Sequence, residues 1–427
     1  MKKNNNNLLQ FLPKPLSKRA FQCAYYTIAT LLFLFIICQA SASGIENNGT
    51  AQKAMSLAGT FTGIADDASA LYFNPGGIAF SESHQIAIGT TMLMRSTSFL
   101  SPYSGNHNLE DKTAFPLHLY AAFKVGELST VGLSVNSPYR SESQWQSEWP
   151  GRYVSTYYKF TTTYVQPTYS ILLNEKFGVG IGGVIGFSSV KDELTIPVSD
   201  GTAELTSKLD ATTTSFGINV GLLFKMNDET SLGLSFKSGM KHDFSDGTIK
   251  YNNIPSSLLP GYPNSAKGSL VTYTPNTISL GGSHLLTKQL LLAVEFKYAL
   301  WSSSDTVGVE VENYPDRNYG VGLNHENAFS LSAGAEYEVS DDITVRAGVG
   351  YDLSPVKNDY LNPRMPDADK YKFSAGGTFR FNENFSIAIA YMLENFTERE
   401  STNIQYNFNG TYKSYNHLVG ITLNYDI

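Results

Sequence analysis

From His84 to the end of the chain, apolar residues recur at every second position in runs separated by turn residues, a period that predicts strands rather than helices. The run Phe216, Ile218, Val220, Leu222, Phe224 and Met226 alternates without a fault. The same spacing is seen in Ile86, Ile88, Met92 and Met94, in Phe115, Leu117, Leu119, Ala121 and Phe123, and in Leu290, Leu292, Val294 and Phe296. Read along its length, the chain predicts fourteen such strands, the last carrying Val419, Ile421, Leu423 and Tyr425. Short turns near Gly126-Glu127, Asn174-Glu175, Asn227-Asp228, Thr287-Lys288, Ser340-Asp341 and Asn382-Glu383 alternate with long connections at about 100–113, 137–158, 188–210, 239–272, 302–326, 354–370 and 395–413. The faces opposite the apolar ones mix Gly, Ser, Thr, Asn and charged residues.

That pattern predicts an all-β membrane protein, a 14-stranded antiparallel transmembrane β-barrel with lipid outside, a polar lumen inside and long loops on one side only. A soluble sandwich would not alternate its loop lengths so strictly. The stretch Ala58–Phe80 breaks the alternation and is rich in small residues. It is expected to lie in the lumen as a plug or hatch, giving three parts: residues 1–42, 43–82 and 83–427. Within it, Asn74-Pro75-Gly76-Gly77 predicts a tight turn, with proline fixing φ and the glycines permitting positive φ.

The first 42 residues change the picture of where the chain resides. Lys2, Lys3, Lys14, Lys18 and Arg19 precede the apolar run Ala24–Cys38, and Ala40-Ser41-Ala42 supplies a cleavage site, so an export signal is expected. Its removal takes away five basic residues and no acidic ones, leaving 26 basic (31 minus 5) against 38 acidic, a net of −12 that argues against nucleic acid as a partner. Both cysteines, Cys23 and Cys38, fall in that signal, so the exported part has no thiol for a disulfide, a metal or a nucleophile. The seven histidines are scattered and none stands in a hydrolase or zinc motif. No cofactor, metal or catalytic site is expected, and a barrel hydrolase, a general porin and an adhesin remain the alternative readings.

The run Ala65-Asp66-Asp67-Ala68-Ser69 followed by Asn74-Pro75-Gly76 resembles the N-terminal hatch of the FadL/TodX family of outer-membrane hydrophobic-compound transporters. The family pattern has alanine where Gly76 stands. Asn136-Ser137-Pro138-Tyr139, Trp149-Pro150-Gly151-Arg152-Tyr153, Trp301-Ser302 and the block from Ala328 through Asn362-Pro363-Arg364-Met365-Pro366 to Gly377 are similar to that family in the same order. The likeness spans about Ala58 to Ile427. It implies a monomer in the outer membrane of a Gram-negative bacterium, folded by the barrel-assembly machinery. The implied activity is passive uptake of long-chain fatty acids or other hydrophobic compounds, captured at extracellular loops and released sideways through the barrel wall at a kink in the third strand.

Candidate residues follow from both readings. Asp66, Asp67, Asn74, Pro75 and Gly76 mark the hatch. Gly132, Asn136 and Pro138 are candidates for an interrupted wall, since glycine weakens a strand and proline removes a ladder donor. Leu258, Leu259 and Tyr262 are candidates for substrate capture in the loop 239–272. Arg346, Glu336 and Arg380 have lumen parity and are expected to pair with each other, with the hatch acids or with a substrate carboxylate.

Overall fold

The computed structural model describes residues 45–197, 203–258, 261–303 and 306–427; the expected export signal, 1–42, and the capture candidate Leu259 lie outside the described residues. Among the described residues fourteen long strands form the wall: β1 (Gln85–Ser101), β2 (Leu117–Val125), β3 (Ser129–Asn136), β4 (Tyr157–Asn174), β5 (Phe177–Pro197), β6 (Glu204–Lys225), β7 (Thr230–Lys237), β8 (Asn276–Leu285), β9 (Leu290–Leu300), β10 (Ala328–Ser340), β11 (Ile343–Asp352), β12 (Lys370–Arg380), β13 (Phe385–Phe396) and β14 (Phe408–Asp426). Each pairs antiparallel with its neighbours in sequence, and β1 pairs with β14 from Gln85↔Asp426 to Leu100↔Thr411, which closes the sheet. Closure removes the free edges that lipid would not tolerate.

The expected alternation sets the two faces. Ile88, Leu117, Ile181, Phe216, Leu280, Phe296, Val349 and Ile389 point outward and are exposed, whereas Thr91, Ser134, Ser170, Asn219, Ser283, Glu295, Ser332 and Ser374 are buried inside. Aromatic pairs such as Phe177 with Phe224 and Phe379 with Phe381 stand beside the short turns, where a membrane barrel carries its aromatic girdle.

Several boundaries differ from expectation; β14, for one, starts at Phe408 within the expected loop 395–413. Residues 188–210 were expected to be loop, yet β5 runs to Pro197 and β6 starts at Glu204, paired throughout. The alternation simply continues: Val190, Leu194, Leu205 and Leu209 point inward and are buried with Phe244, Ile249, Leu270 and Val309 on shorter loop strands, so the barrel extends upward as a ribbon with its own apolar core. Phe115 also precedes β2 rather than belonging to it. Pro116 follows it, and a residue without an N–H cannot continue the ladder.

Candidate functional site

The segment 45–80 lies inside the barrel, because it touches inward-facing residues on opposite walls. It contains two short helices, α1 (Gln52–Ser56) and α2 (Ala70–Phe73), and a 3-10 turn at Gly77–Phe80. Helices of four and five residues hold no stability of their own. The wall supplies it. Glu295 on β9 accepts from the Phe61 and Thr62 N–H groups at 2.8 Å each, Ser374 on β12 donates to Ser56 O and accepts from Ala58 N–H, and Ser283 on β8 donates to Gly63 O at 2.9 Å. On the far side Gln166, Ser170 and Asn219 donate to Leu71, Pro75 and Tyr72 carbonyls. Backbone groups that an irregular segment would leave bare are thereby paired.

Asn74 anchors this arrangement: its Nδ2 donates to Thr62 O at 2.8 Å and to Leu222 O at 3.0 Å, while its Oδ1 accepts from Gly76 N–H. The turn forms, with Gly77 N–H donating to Asn74 O at 2.9 Å, but the expected positive φ does not. Gly76 has φ −64°. Glycine is needed there for space instead: a Cβ on Gly76 would sit 2.8 Å from the carbonyl oxygens of both Gly178 and Gly221, and one on Gly77 would sit 2.1 Å from Ala65 O.

Among the charged candidates Glu336 and Arg346 pair as expected, and Lys53 joins Asp66 to them. Asp66 pairs with Lys53 of its own segment at 2.8 Å, Lys53 reaches Glu336 at 3.3 Å, and Glu336 pairs with Arg346 at 2.5 Å. Burial opposes the Lys53 charge, yet Asp66 and Glu336 outweigh it and hold its pKa above the ordinary lysine value. Asp67 faces no cation at contact distance among the described residues; it accepts from Ser69 N–H and Oγ, and burial pushes its carboxyl upward. Arg380 takes no part, being exposed at a short turn and donating to Asp341 O. Its parity is inward, but it ends β12 beside the short turn.

The wall candidates resolve into one place. Gly132 is not a break: it pairs in register with Ala122 and Thr168, and the absence of a Cβ lets Leu71 approach, whose Cδ2 would lie 2.4 Å from one. The ladder between β2 and β3 instead ends at Leu119↔Val135. Beyond Asn136, Ser137-Pro138-Tyr139 leaves the regular strand, and Arg140–Gln144 resumes pairing with β4 only. On the vacated side lies the N-terminal segment. Glu46 bridges antiparallel to Tyr139, with Asn47 N–H donating to Pro138 O at 2.7 Å and Arg140 N–H to Ile45 O at 2.9 Å. Lys297 on β9 holds Glu46 at 2.8 Å, and Asn48 Nδ2 donates to Glu394 at 2.6 Å.

Above that patch a cavity, partly open to solvent, extends beneath the loops. Ile45, Leu93, Phe160, Trp301, Val356 and Phe396 supply apolar walls. Its cations Arg140, Lys112 and Lys370 each sit within 4 Å of a carboxylate, but among the described residues Arg95 has none. Arg95 donates instead to Pro366 O at 2.6 Å. Asp367, also in the lining, is pushed by burial above the usual carboxylate range, although Ser354 donates to it.

The capture candidates pack downward. Leu258 joins the apolar cluster under the loops, and Tyr262 meets Tyr251 edge-on and takes the Arg317 guanidinium over its face at 3.9 Å. Arg95, Glu46, Lys297 and Glu295 were not singled out from the sequence. For three of them the signal was present: Arg95, Glu295 and Lys297 are charges at inward positions within otherwise alternating strands.

Residues 32–427 match the model of a family described as outer membrane protein transport protein (OMPP1/FadL/TodX). Outer membrane protein P1 of Haemophilus influenzae is 25% identical over 221 residues, a match that spans about half of either protein, 49% of this chain and 47% of that one. The long-chain fatty acid transport protein of Escherichia coli O6:H1 is 24% identical over 437 residues, covering 91% of this chain and 96% of that protein. Among solved structures, a Pseudomonas aeruginosa FadL homologue superposes with a TM-score of 0.82 at 20% identity, covering 90% of this chain and 100% of that chain, a likeness of fold.

Proposed function

Because the chain belongs to the outer membrane protein transport family (OMPP1/FadL/TodX), we propose that this outer-membrane barrel takes up long-chain fatty acids or other hydrophobic small molecules down their gradient. The observation that carries the reading is the main cavity: apolar walls for a tail, and in Arg95 a cation whose charge no carboxylate answers at contact distance among the described residues. A charged head group is better matched by such a donor than by a lysine already paired.

In this reading residues 43–82 act as the hatch, with Asp66, Asp67, Asn74, Pro75 and Gly76 holding it in place. Cargo enters between the loops, near Leu258 and Tyr262, and descends to Arg95. It leaves sideways where β3 parts from β2 at Asn136–Pro138. Phe115 and Leu117, both exposed and apolar, line the lipid side of that parting, and the cavity reaches its inner side at Ala114, Arg140 and Ser141. The strand-like segment Ile45–Asn47 closes it, so its displacement opens the route. The barrel works as a monomer, its partners being the cargo, outer-membrane lipid and the assembly machinery, and the cargo undergoes no chemistry.

Reconstitution in liposomes tests this. Oleate and toluene are expected to enter and a hydrophilic sugar to stay out; entry of the sugar alone would end the proposal. Arg95→Gln is expected to slow oleate uptake by about tenfold, the worth of one charge-assisted hydrogen bond, and toluene uptake by much less.

A further inference from the structure

Three tyrosines share one register row on the outside of the barrel: Tyr351 on β11 pairs with Tyr371 on β12, Tyr371 with Asn395 on β13, and Asn395 with Tyr415 on β14. The row lies near the extracellular ends of these strands, and the Tyr351 and Tyr371 rings stand 4.8 Å apart. Toward the short turns Val349, Phe373 and Val419 continue the same exposed, apolar face. Such an aromatic row marks the level at which acyl chains give way to head groups. Just above it Tyr351 donates to Asp369 at 3.2 Å, and Asp369 lines a depression open to solvent together with Glu326, Ser354, Asn358, Thr397 and Arg399.

Two cations here are answered by no carboxylate within 4 Å among the described residues. Arg399 donates only to neutral acceptors: Asn358 Oδ1 at 2.6 Å, Ser354 Oγ at 3.0 Å, and the Asp367 and Val356 carbonyls. Its partner across the ladder is Tyr412, so Lys413, exposed on the outward face of β14, borders the depression. Acceptors are present as well. Lys357 pairs with Glu326 at 3.1 Å, but their side chains are 38% and 57% exposed, and such a pair contributes little and leaves both groups open to a ligand. An anion is therefore matched by Arg399 and Lys413, hydroxyl donors by Glu326, a sugar ring by the tyrosine faces, and alkyl chains by Val349 and Phe373. A simple fatty anion would leave the acceptors and ring faces unused, and an uncharged sugar would leave the cations unused. A phosphorylated, acylated sugar uses all of them. Lipopolysaccharide, which forms the outer leaflet of a Gram-negative outer membrane, is anchored by a molecule of that kind, the acylated and phosphorylated glucosamine disaccharide of lipid A.

We propose that this outward face of β11–β14 is a binding site for one lipid A head group, with a phosphate on Arg399 and Lys413, the sugar against Tyr371 and acyl chains over Val349 and Phe373. The site lies on the lipid side of the wall, apart from the lumen and its cargo. Titration of the full-length exported protein in detergent with bisphosphorylated lipid A, read by native mass spectrometry, tests it. One tightly bound lipid A per chain is expected. Lys413→Gln should weaken binding about tenfold, the worth of one charge-assisted hydrogen bond, and Arg399→Gln added to it should weaken binding about tenfold again. Tyr371→Leu keeps an apolar surface and removes the ring, at a loss of about fivefold. Lys241→Gln, on an exposed lysine elsewhere on the outer wall, is the control and should change nothing. Phosphatidylglycerol, which has the phosphate without the sugar, and glucosamine 6-phosphate, which has no chains, should each bind at least tenfold more weakly than lipid A. Heat-dependent gel mobility reports that each variant is folded. Lys413→Gln and Tyr371→Leu, both on strand exteriors, carry the test if the loop around Arg399 does not tolerate its change. Lipid A affinity unchanged in those two variants overturns the proposal, and so does either comparison ligand binding as tightly as lipid A.

Discussion

Gly281 on β8 faces Gly63 so closely that a Cβ built on it would lie 2.5 Å from the Gly63 nitrogen. Wall and lumen segment meet there backbone to backbone, and the same holds where Gly348 meets Leu57 and where Gly180 meets Pro75. Such contacts exclude any side chain at those wall positions, because the obstacle is main chain rather than a flexible tip. Gly281→Val is accordingly expected to destabilise the folded barrel by about 1–3 kcal/mol, as overpacking does. It should also lower the temperature at which the barrel unfolds on a heated gel. Gly183→Val, on a glycine with nothing within 4 Å of the added Cβ, is the matched control and should leave that temperature unchanged. Residue-level features were legible in proportion to how local their cause was. The turn at Asn74-Pro75 and the Glu336–Arg346 pair follow from spacing and parity on adjacent strands, and both are present. The space-limited role of Gly76, and the pairing of Arg364 with Asp192 across 172 positions, depend on which distant backbone comes to lie opposite. Nothing in a stretch of sequence signals that.

The elements show the same division. Alternation placed all fourteen strands and their short turns, because parity on a two-faced wall is written into every strand. It misjudged the ribbon at 188–210, where the pattern continued but a loop was assumed from length. It also pointed to Gly132 and Pro138 together, whereas the ladder is intact at Gly132 and lost beyond Leu119↔Val135. The unforeseen element is the strand-like segment Ile45–Asn47, which adds to the unpaired side of Pro138–Arg140 in the manner of strand addition. Its proposed function as a gate can be tested directly. The hydrogen bonds of Asn47 and Arg140 flank the Glu46–Tyr139 bridge, which makes it a narrow, non-hydrogen-bonded pair with Cα atoms about 4.5 Å apart, close enough for a disulfide. Since both native cysteines precede Ser43, Glu46→Cys with Tyr139→Cys introduces the only thiols of the exported chain if the signal is cleaved. Oxidised, this double variant should lose at least nine-tenths of its oleate uptake, and a reductant should restore it. Uptake indifferent to the redox state would mean that Ile45–Asn47 is a fixed part of the wall.

At the scale of the whole molecule, the lumen segment is tied to the wall unevenly. Residues 51–80 are held by side-chain bonds from β4, β6, β8, β9, β10 and β12 and by glycine contacts from several more strands, so no single bond releases them. Residues 45–50 hang on fewer contacts, chiefly the Tyr139 bridge, the Glu46–Lys297 pair, the Asn48–Glu394 bond and the Gly49 carbonyl that Thr91 donates to. Of these the Glu46–Lys297 pair is the one with both side chains largely shielded from water. On the proposed route the barrel keeps water and ions out while one short piece moves. Planar-bilayer conductance separates the two parts. The unaltered protein and a variant lacking 45–50 should both pass little current, because 51–80 still fills the lumen. Removing 45–80 exposes a lumen lined by Ser, Thr, Glu and Lys, which should then conduct ions in discrete steps as an open pore does. A silent 45–80 deletion would mean that the loops, and not the lumen segment, seal the barrel. Large steps from the 45–50 deletion alone would mean that the seal is made by the piece proposed here to move.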